Sequence, residues 1–192
     1  WRPDDYIKAD DRLFEGINHM NTAIFITVRM DSSRLPDKTM KKVLGKPVLE
    51  HVISRAKQAT KFDEIIVCTT QRKVDDPIAE LAQKFNVKVY RGSLEDKLER
   101  WNGAAKEYSV DYIVTFDGDD LFCDPYLLDR GAEQITEGQF DFIELPPGLI
   151  CGAFTYAFTS KALAKVCEIK GTNDTEMMWT YFKDTGLFKT GY

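Results

Sequence analysis

Histidine is scarce in this 192-residue chain: only His19 and His51 occur, so any metal site must be built largely from carboxylates. Oxygen ligands of that kind favour hard cations such as magnesium or manganese. The four cysteines, Cys68, Cys123, Cys151 and Cys167, lie far apart without paired-ligand spacing. That argues against a zinc ribbon or a disulfide framework and reads as reduced, mostly buried thiols. No run of 18 apolar residues and no signal-peptide pattern is present, which predicts a soluble cytoplasmic protein with no membrane partner. Internal repeats and low-complexity tracts are missing too. The chain opens on Trp1 and stops at Tyr192 just after a strand-like segment, so both ends read as cut.

What is there is a core-forming composition, 43% hydrophobic, and a net charge of −5 that is unevenly spread. Positions 29 to 46 carry Arg29, Arg34, Lys38, Lys41, Lys42 and Lys46 against Asp31 and Asp37, a local excess of +4. Positive charge confined to one loop of an acidic protein suits a small polyanion rather than nucleic acid, which needs a basic face. A solvated surface loop is the plainer explanation of the lysines. The hydroxyls of Ser32 and Ser33 and the turn fixed by Pro36 favour a polyphosphate cradle.

The cationic loop follows the apolar run from Ala23 to Val28, a candidate strand buried on both faces. Beyond it strands and helices alternate. Strands are predicted over 64–69, 87–90, 112–116 and 141–144, with helices over about 47–60, 77–85, 94–108 and 125–137. An apolar run, Leu149 to Phe158, precedes helices from about 160 and 175. Pro47, Pro77 and Pro125 occupy first-turn positions, with Asp76 and Asp124 as caps. Such alternation means a doubly wound, mostly parallel α/β sheet of the Rossmann-like kind. Residues 1–21 read as an arm or linker, with Leu13, Phe14 and Ile17 as one apolar face, and 22–192 as the domain.

A second polar cluster, Asp117-Gly118-Asp119-Asp120, follows the strand at 112–116. If that strand lies beside the first, the cationic loop and the acidic turn meet at the switch point of the sheet, where such folds bind ligands. Gly118 permits close approach or positive φ, and a plain acidic turn is the alternative. Asp119 ranks first and Asp117 second as metal ligands. Asp96 and Arg100 could reach the same crevice, though Ser93 and Asp96 also fit a helix cap. Asp174 and Glu176 could complete a metal site, though Asn173 and Glu176 equally fit a cap.

At Arg29, Ser32, Ser33, Arg34, Leu35, Pro36 and Lys38, followed by Gly45-Lys46-Pro47, the chain closely resembles the cytidylyltransferases. The likeness is to those that activate sugar acids and to the spore-coat polysaccharide type. It continues through Thr69-Thr70 with Asp75-Asp76, Arg91-Gly92-Ser93 with Asp96 and Arg100, and Gly118-Asp119 with Asp124-Pro125, covering roughly 23–135. Leu121 replaces a usual proline, Asp31 a usual small residue, and the family's C-terminal segment is missing or shortened.

The resemblance implies a nucleotidyltransferase sheet and a magnesium-dependent transfer of CMP from CTP to a sugar acid or related acceptor, releasing pyrophosphate. Manganese could replace magnesium. Arg29, Ser32, Ser33, Arg34 and Lys38 would hold the triphosphate and ribose, with Arg29, Arg34 and Lys38 as the catalytic cations. Thr70, Arg91 and Asp96 would line the nucleotide pocket, and Asp119 would bind the metal, with Asp117 and Glu176 as the further ligands that their positions suggest. Partners would be CTP and a small acidic or polyhydroxy acceptor, and a homodimer is compatible. A glycosyltransferase using a nucleotide sugar is the rival, because Asp117-Gly118-Asp119 also fits the metal motif of those enzymes. A nucleotide-binding module without turnover is the other.

Overall fold

Six residues of the first apolar run, Thr22–Thr27 (β1), are all buried, because strands of a parallel sheet are covered on both faces. They form an interior strand of a seven-stranded sheet in a computed structural model that describes residues 20–31 and 35–192. The predicted arm, with Leu13, Phe14 and Ile17, lies outside the described residues apart from its last two positions. Asn21 belongs to the body of the fold: its amide side chain donates to the Tyr108 carbonyl at 3.0 Å, and its backbone N–H donates to Asp111 at 2.9 Å.

The remaining strands are Lys42–Val43 (β2), Lys46–Pro47 (β3), Glu64–Thr70 (β4), Lys88–Gly92 (β5), Tyr112–Asp117 (β6), Phe142–Glu144 (β7), Tyr156–Thr159 (β8) and Thr190–Gly191 (β9). The large sheet runs β5-β4-β1-β6-β8-β7-β9. β1, β4, β5 and β6 are mutually parallel, whereas β8 runs antiparallel to both β6 and β7. The sheet is therefore mostly parallel as the alternation predicts, with an antiparallel insertion that the apolar run from 149 to 158 did not disclose. Only the end of that run is strand; residues before Tyr156 form turns.

Helices cover both faces. Val48–Ala56 (α1), Asp76–Lys84 (α2) and Pro125–Thr136 (α4) pack on one, with Ile24, Ile26 and Val28 beneath them. Lys97–Glu107 (α3), Ser160–Ile169 (α5) and Trp179–Lys183 (α6) pack on the other, over Ala23 and Phe25. The period-two alternation of β1 thus feeds two cores, as a doubly wound sheet requires. The second is aromatic, with Trp101 and Phe158 ring centroids 5.4 Å apart and Phe142 and Phe182 4.6 Å apart.

The helix starts need three adjustments. Pro47 is the flanking residue of α1 rather than its first turn. Asp76 is the first residue of α2, with Asp75 in the flanking position. α3 begins three residues later than its apolar spacing suggests, because Asp96 caps it by accepting from the Glu99 backbone N–H at 3.0 Å. Asp124 caps α4 as predicted, accepting from the Tyr126 backbone N–H at 2.9 Å. The short β2–β3 hairpin was not foreseen. It turns through Leu44 and Gly45, both at positive φ, with the Leu44 side chain 94% exposed. Of the cysteines, Cys68 and Cys123 are buried, Cys167 is half-buried and Cys151 is exposed, so "mostly buried" holds for the first pair alone. Burial pushes the Cys68 thiol up to about 12.

Leu98, fully buried between α3 and the sheet, tests which face of α3 carries the core. Leu98→Ala should lower the unfolding free energy by about 2–5 kcal/mol, since the cavity left adds to the lost transfer energy. Urea denaturation should show a lower midpoint at unchanged slope.

Candidate active site

β1 and β6 are neighbours, with Thr27 opposite Asp117 in register. The Asp117–Asp120 turn is therefore delivered to the same end of the sheet as the loop leaving β1. The Gly118 backbone N–H donates to the Thr27 carbonyl at 2.7 Å. A Cβ at Gly118 would stand 2.6 Å from the Val28 Cβ, so close approach, not positive φ, explains that glycine. Between the loop, the turn and the start of α3 opens a crevice of about 360 Å³.

Lys38 and Asp119 face each other across this crevice, Nζ to Oδ2 2.6 Å. A second pair, Lys97 and Asp117, stands at 3.1 Å, and Lys97 also lies 5.0 Å from the Trp101 ring centroid. Arg29 lies 3.5 Å from Asp31 and 3.9 Å from Glu176, whose carboxylate lines the same space. Asp120 is tucked under the turn, accepting from the Asp117 backbone N–H at 3.0 Å. Burial raises its carboxyl to about 6.

The base of the loop is held by groups the motif alone does not reveal. The buried Asp75 accepts from the Met30 backbone N–H at 2.7 Å, and the Thr70 hydroxyl donates to its other oxygen. Arg72 bonds Asp31 at 2.6 Å, which holds the Asp31 carboxyl below the usual range. Asp31, a negative charge where phosphates are expected, is thereby neutralised.

Several assigned residues sit elsewhere than the sequence suggests. Ser32, Ser33 and Arg34 lie outside the described residues. Lys41, Lys42 and Lys46 are exposed around the β2–β3 hairpin, and Lys46 pairs with Glu50 at 3.3 Å. Of the six cations counted between 29 and 46, Arg29 and Lys38 line the crevice among the described residues. Thr70 and Arg91 do not line it. Arg91 donates to the carbonyls of Thr70 at 2.9 Å and Arg72 at 2.7 Å and pairs with Asp76 at 2.7 Å, so it braces the loop after β4. Asp96 is 3% exposed and bonded to Glu99, Thr175 and Lys170. It fastens the 170–175 segment to α3. Arg100, by contrast, does line the crevice. It is buried, donates to the Ser93 carbonyl, and its Nε has no partner among the described residues. Lys97 was missed altogether, because on α3 it reads as an ordinary exposed lysine.

Among the described residues no three acid, histidine or cysteine side chains converge closely enough to hold a metal by themselves. The donor set still fits magnesium, which is commonly held by one or two carboxylates and completed by ligand phosphates and water. Asp119 and Asp117 have that chemistry, and each now faces an ammonium. Glu176 is turned to Arg29 on the other wall.

The chain matches the family model described as cytidylyltransferase over residues 23–190. It belongs to the cytidylyltransferase family. An uncharacterized protein of Methanocaldococcus jannaschii is 35% identical over 169 residues, which is 87% of this chain and 69% of that protein. The 3-deoxy-manno-octulosonate cytidylyltransferase 2 of Hydrogenovibrio crunogenus is 29% identical over 164 residues, 83% of this chain and 60% of the relative. This cytidylyltransferase chain therefore spans only part of the length of the curated relatives it matches. Among solved structures, a cytidylyltransferase from Leptospira borgpetersenii superposes with a TM-score of 0.82 at 29% identity, covering 90% of this chain and 75% of that one. The family, the Hydrogenovibrio relative and the Leptospira structure are cytidylyltransferases by name, hence nucleotidyltransferase enzymes, as the motif resemblance implies.

Asp96→Ala checks the reassignment of that residue. Removing it leaves the Lys170 ammonium buried without its acid, so stability should fall by about 3–5 kcal/mol. A side chain serving only a nucleotide would leave the urea midpoint of the free protein unchanged.

Proposed function

We propose that this chain transfers CMP from CTP to a sugar acid or related hydroxylated acceptor, with release of pyrophosphate and with magnesium as the cation. The observation that carries the reading is the 2.6 Å pairing of Lys38 with Asp119 across the β1–β6 seam. It puts a phosphate-binding cation and a hard-metal carboxylate within one ligand's length. Attack at an α-phosphorus requires charge on the triphosphate and on the departing pyrophosphate to be stabilised, and preorganised cations accomplish this with little covalent chemistry from the protein.

Arg29 and Lys38, with Arg34 assigned from the motif, would hold the triphosphate and stabilise charge on the leaving group. Ser32 and Ser33 would donate hydroxyl hydrogen bonds to it. Asp119, with Asp117, would hold magnesium, which when bound supplies Lewis-acid neutralisation of phosphoryl oxygens. Asp75 and Arg72 keep the loop and Asp31 in place for that contact. The cytidine preference and the sugar-acid class of acceptor are assigned from the family and from the named activity of the Hydrogenovibrio relative. We assign the reaction to the cytoplasm, where CTP is made.

Pyrophosphate release should appear with CTP, magnesium and 3-deoxy-manno-octulosonate or another sugar acid, and should be weak with ATP, GTP or UTP. Lys38→Ala should lower the rate about 10²-fold or more while the melting temperature holds. Equal thermal stabilisation by all four triphosphates would sink the cytidine assignment, and unchanged turnover in the variant would remove the loop from the chemistry.

A further inference from the structure

Lys97 is the first residue of α3, and its side chain is only 14% exposed. A lysine so covered is uncommon unless something nearby compensates its charge. Two groups do so here, the Asp117 carboxylate at 3.1 Å and the face of Trp101, 5.0 Å to the ring centroid. Trp101 in turn donates its indole N–H to the Thr27 hydroxyl at 2.7 Å, and Thr27 stands opposite Asp117 in the sheet. The ammonium is therefore held over the β1–β6 seam, on the lining of the crevice. One of its three donors has an acceptor among the described residues.

The crevice thus contains two lysine–aspartate pairs flanking Gly118, one reaching from the loop after β1 and one from α3. A purely structural staple between α3 and the acidic turn would be redundant. Trp101 already ties that helix to β1, and Asp96 caps it. We propose that Lys97 is a phosphate-binding residue of the second crevice wall, which gives up its bond to Asp117 to donate to an oxygen of the ligand's polyphosphate. This rests on the nucleotide reading above. The exchange also frees an Asp117 oxygen for the cation that accompanies the polyphosphate. Lys97 and Lys38 then hold the same chain of phosphates from opposite sides.

Isothermal titration of the purified chain with inorganic triphosphate, with magnesium and separately with chelator, isolates the polyphosphate contact from base and acceptor. K97M keeps the unbranched stem against Trp101 and removes only the charge, so the unliganded melting temperature should change little. Triphosphate affinity should fall about tenfold or more, as for loss of one charge-assisted bond. K97R should restore most of it. D117N should tighten metal-free binding, because Lys97 no longer has to leave a carboxylate, and should do so much less when combined with K97M. Two results would overturn the assignment: unchanged affinity in K97M, or a K97M loss that vanishes in the D117N background, which would make Lys97 no more than a counter-ion for Asp117. If the wild-type chain binds triphosphate neither with magnesium nor without it, the nucleotide reading itself falls, a failure plainly different from one confined to Lys97.

Discussion

The contact between the end of β1 and the turn after β6 is the constraint on which the site depends. The Gly118 backbone N–H reaches the Thr27 carbonyl at 2.7 Å, and the space beside it is too small for any Cβ. This seam sets where Asp117 stands, where the Thr27 hydroxyl meets the Trp101 indole, and where Arg29 leaves the sheet. A shift of one residue in the pairing would send every side chain of β1 to the opposite face, exchanging the Ile24–Ile26 core for the Phe25 core. The two cores therefore fix the register, and the register fixes the site.

Charge around that seam is arranged for exchange more than for stability. The pairs Lys38–Asp119 and Arg29–Asp31 are partly open to solvent, and exposed ion pairs contribute little to folding. The pair between Asp96 and Lys170 is different, being enclosed and shared with the Thr175 hydroxyl. It joins the segment carrying Glu176 to the start of α3, so one wall of the crevice is braced from below while its surface charges stay free to change partners.

Much of this was legible in the sequence. The buried strand, the alternation and the proline-marked helix starts give the parallel half of the sheet, because each is a local signal: apolar run length, period and first-turn chemistry. The loop and acidic turn could be paired because strand order follows from topology. What stayed hidden was long-range. Nothing in the run from Leu149 to Phe158 says that its end pairs antiparallel with β6. Nothing near Asp96 says that Lys170, far along the chain, will bury its charge against it. Arg91 and Thr70 were assigned as ligand contacts by the family resemblance, yet in the structure Arg91 bonds the Thr70 and Arg72 carbonyls and Asp76, and the Thr70 hydroxyl bonds Asp75. Lys97 was invisible for the opposite reason: helix position alone cannot tell a solvated lysine from one folded over an indole.

The balance of charge in the crevice bears on how a polyanion could enter it. Among the described residues it is lined by four cations, Arg29, Lys38, Lys97 and Arg100, and by six acids. A bare triphosphate approaching that set meets carboxylates already bound to the lysines it needs, and must break those pairs and leave acids exposed to its own charge. A triphosphate arriving with a hard divalent cation meets no such penalty, since the cation takes the carboxylates as the phosphates take the ammonium groups. Every charge that loses a partner gains another within the same few ångströms, and no ion is left desolvated and alone, the condition that makes buried charge costly. On the proposed reading, the acids that seem misplaced in a phosphate site are what make it select the metal complex over the free nucleotide.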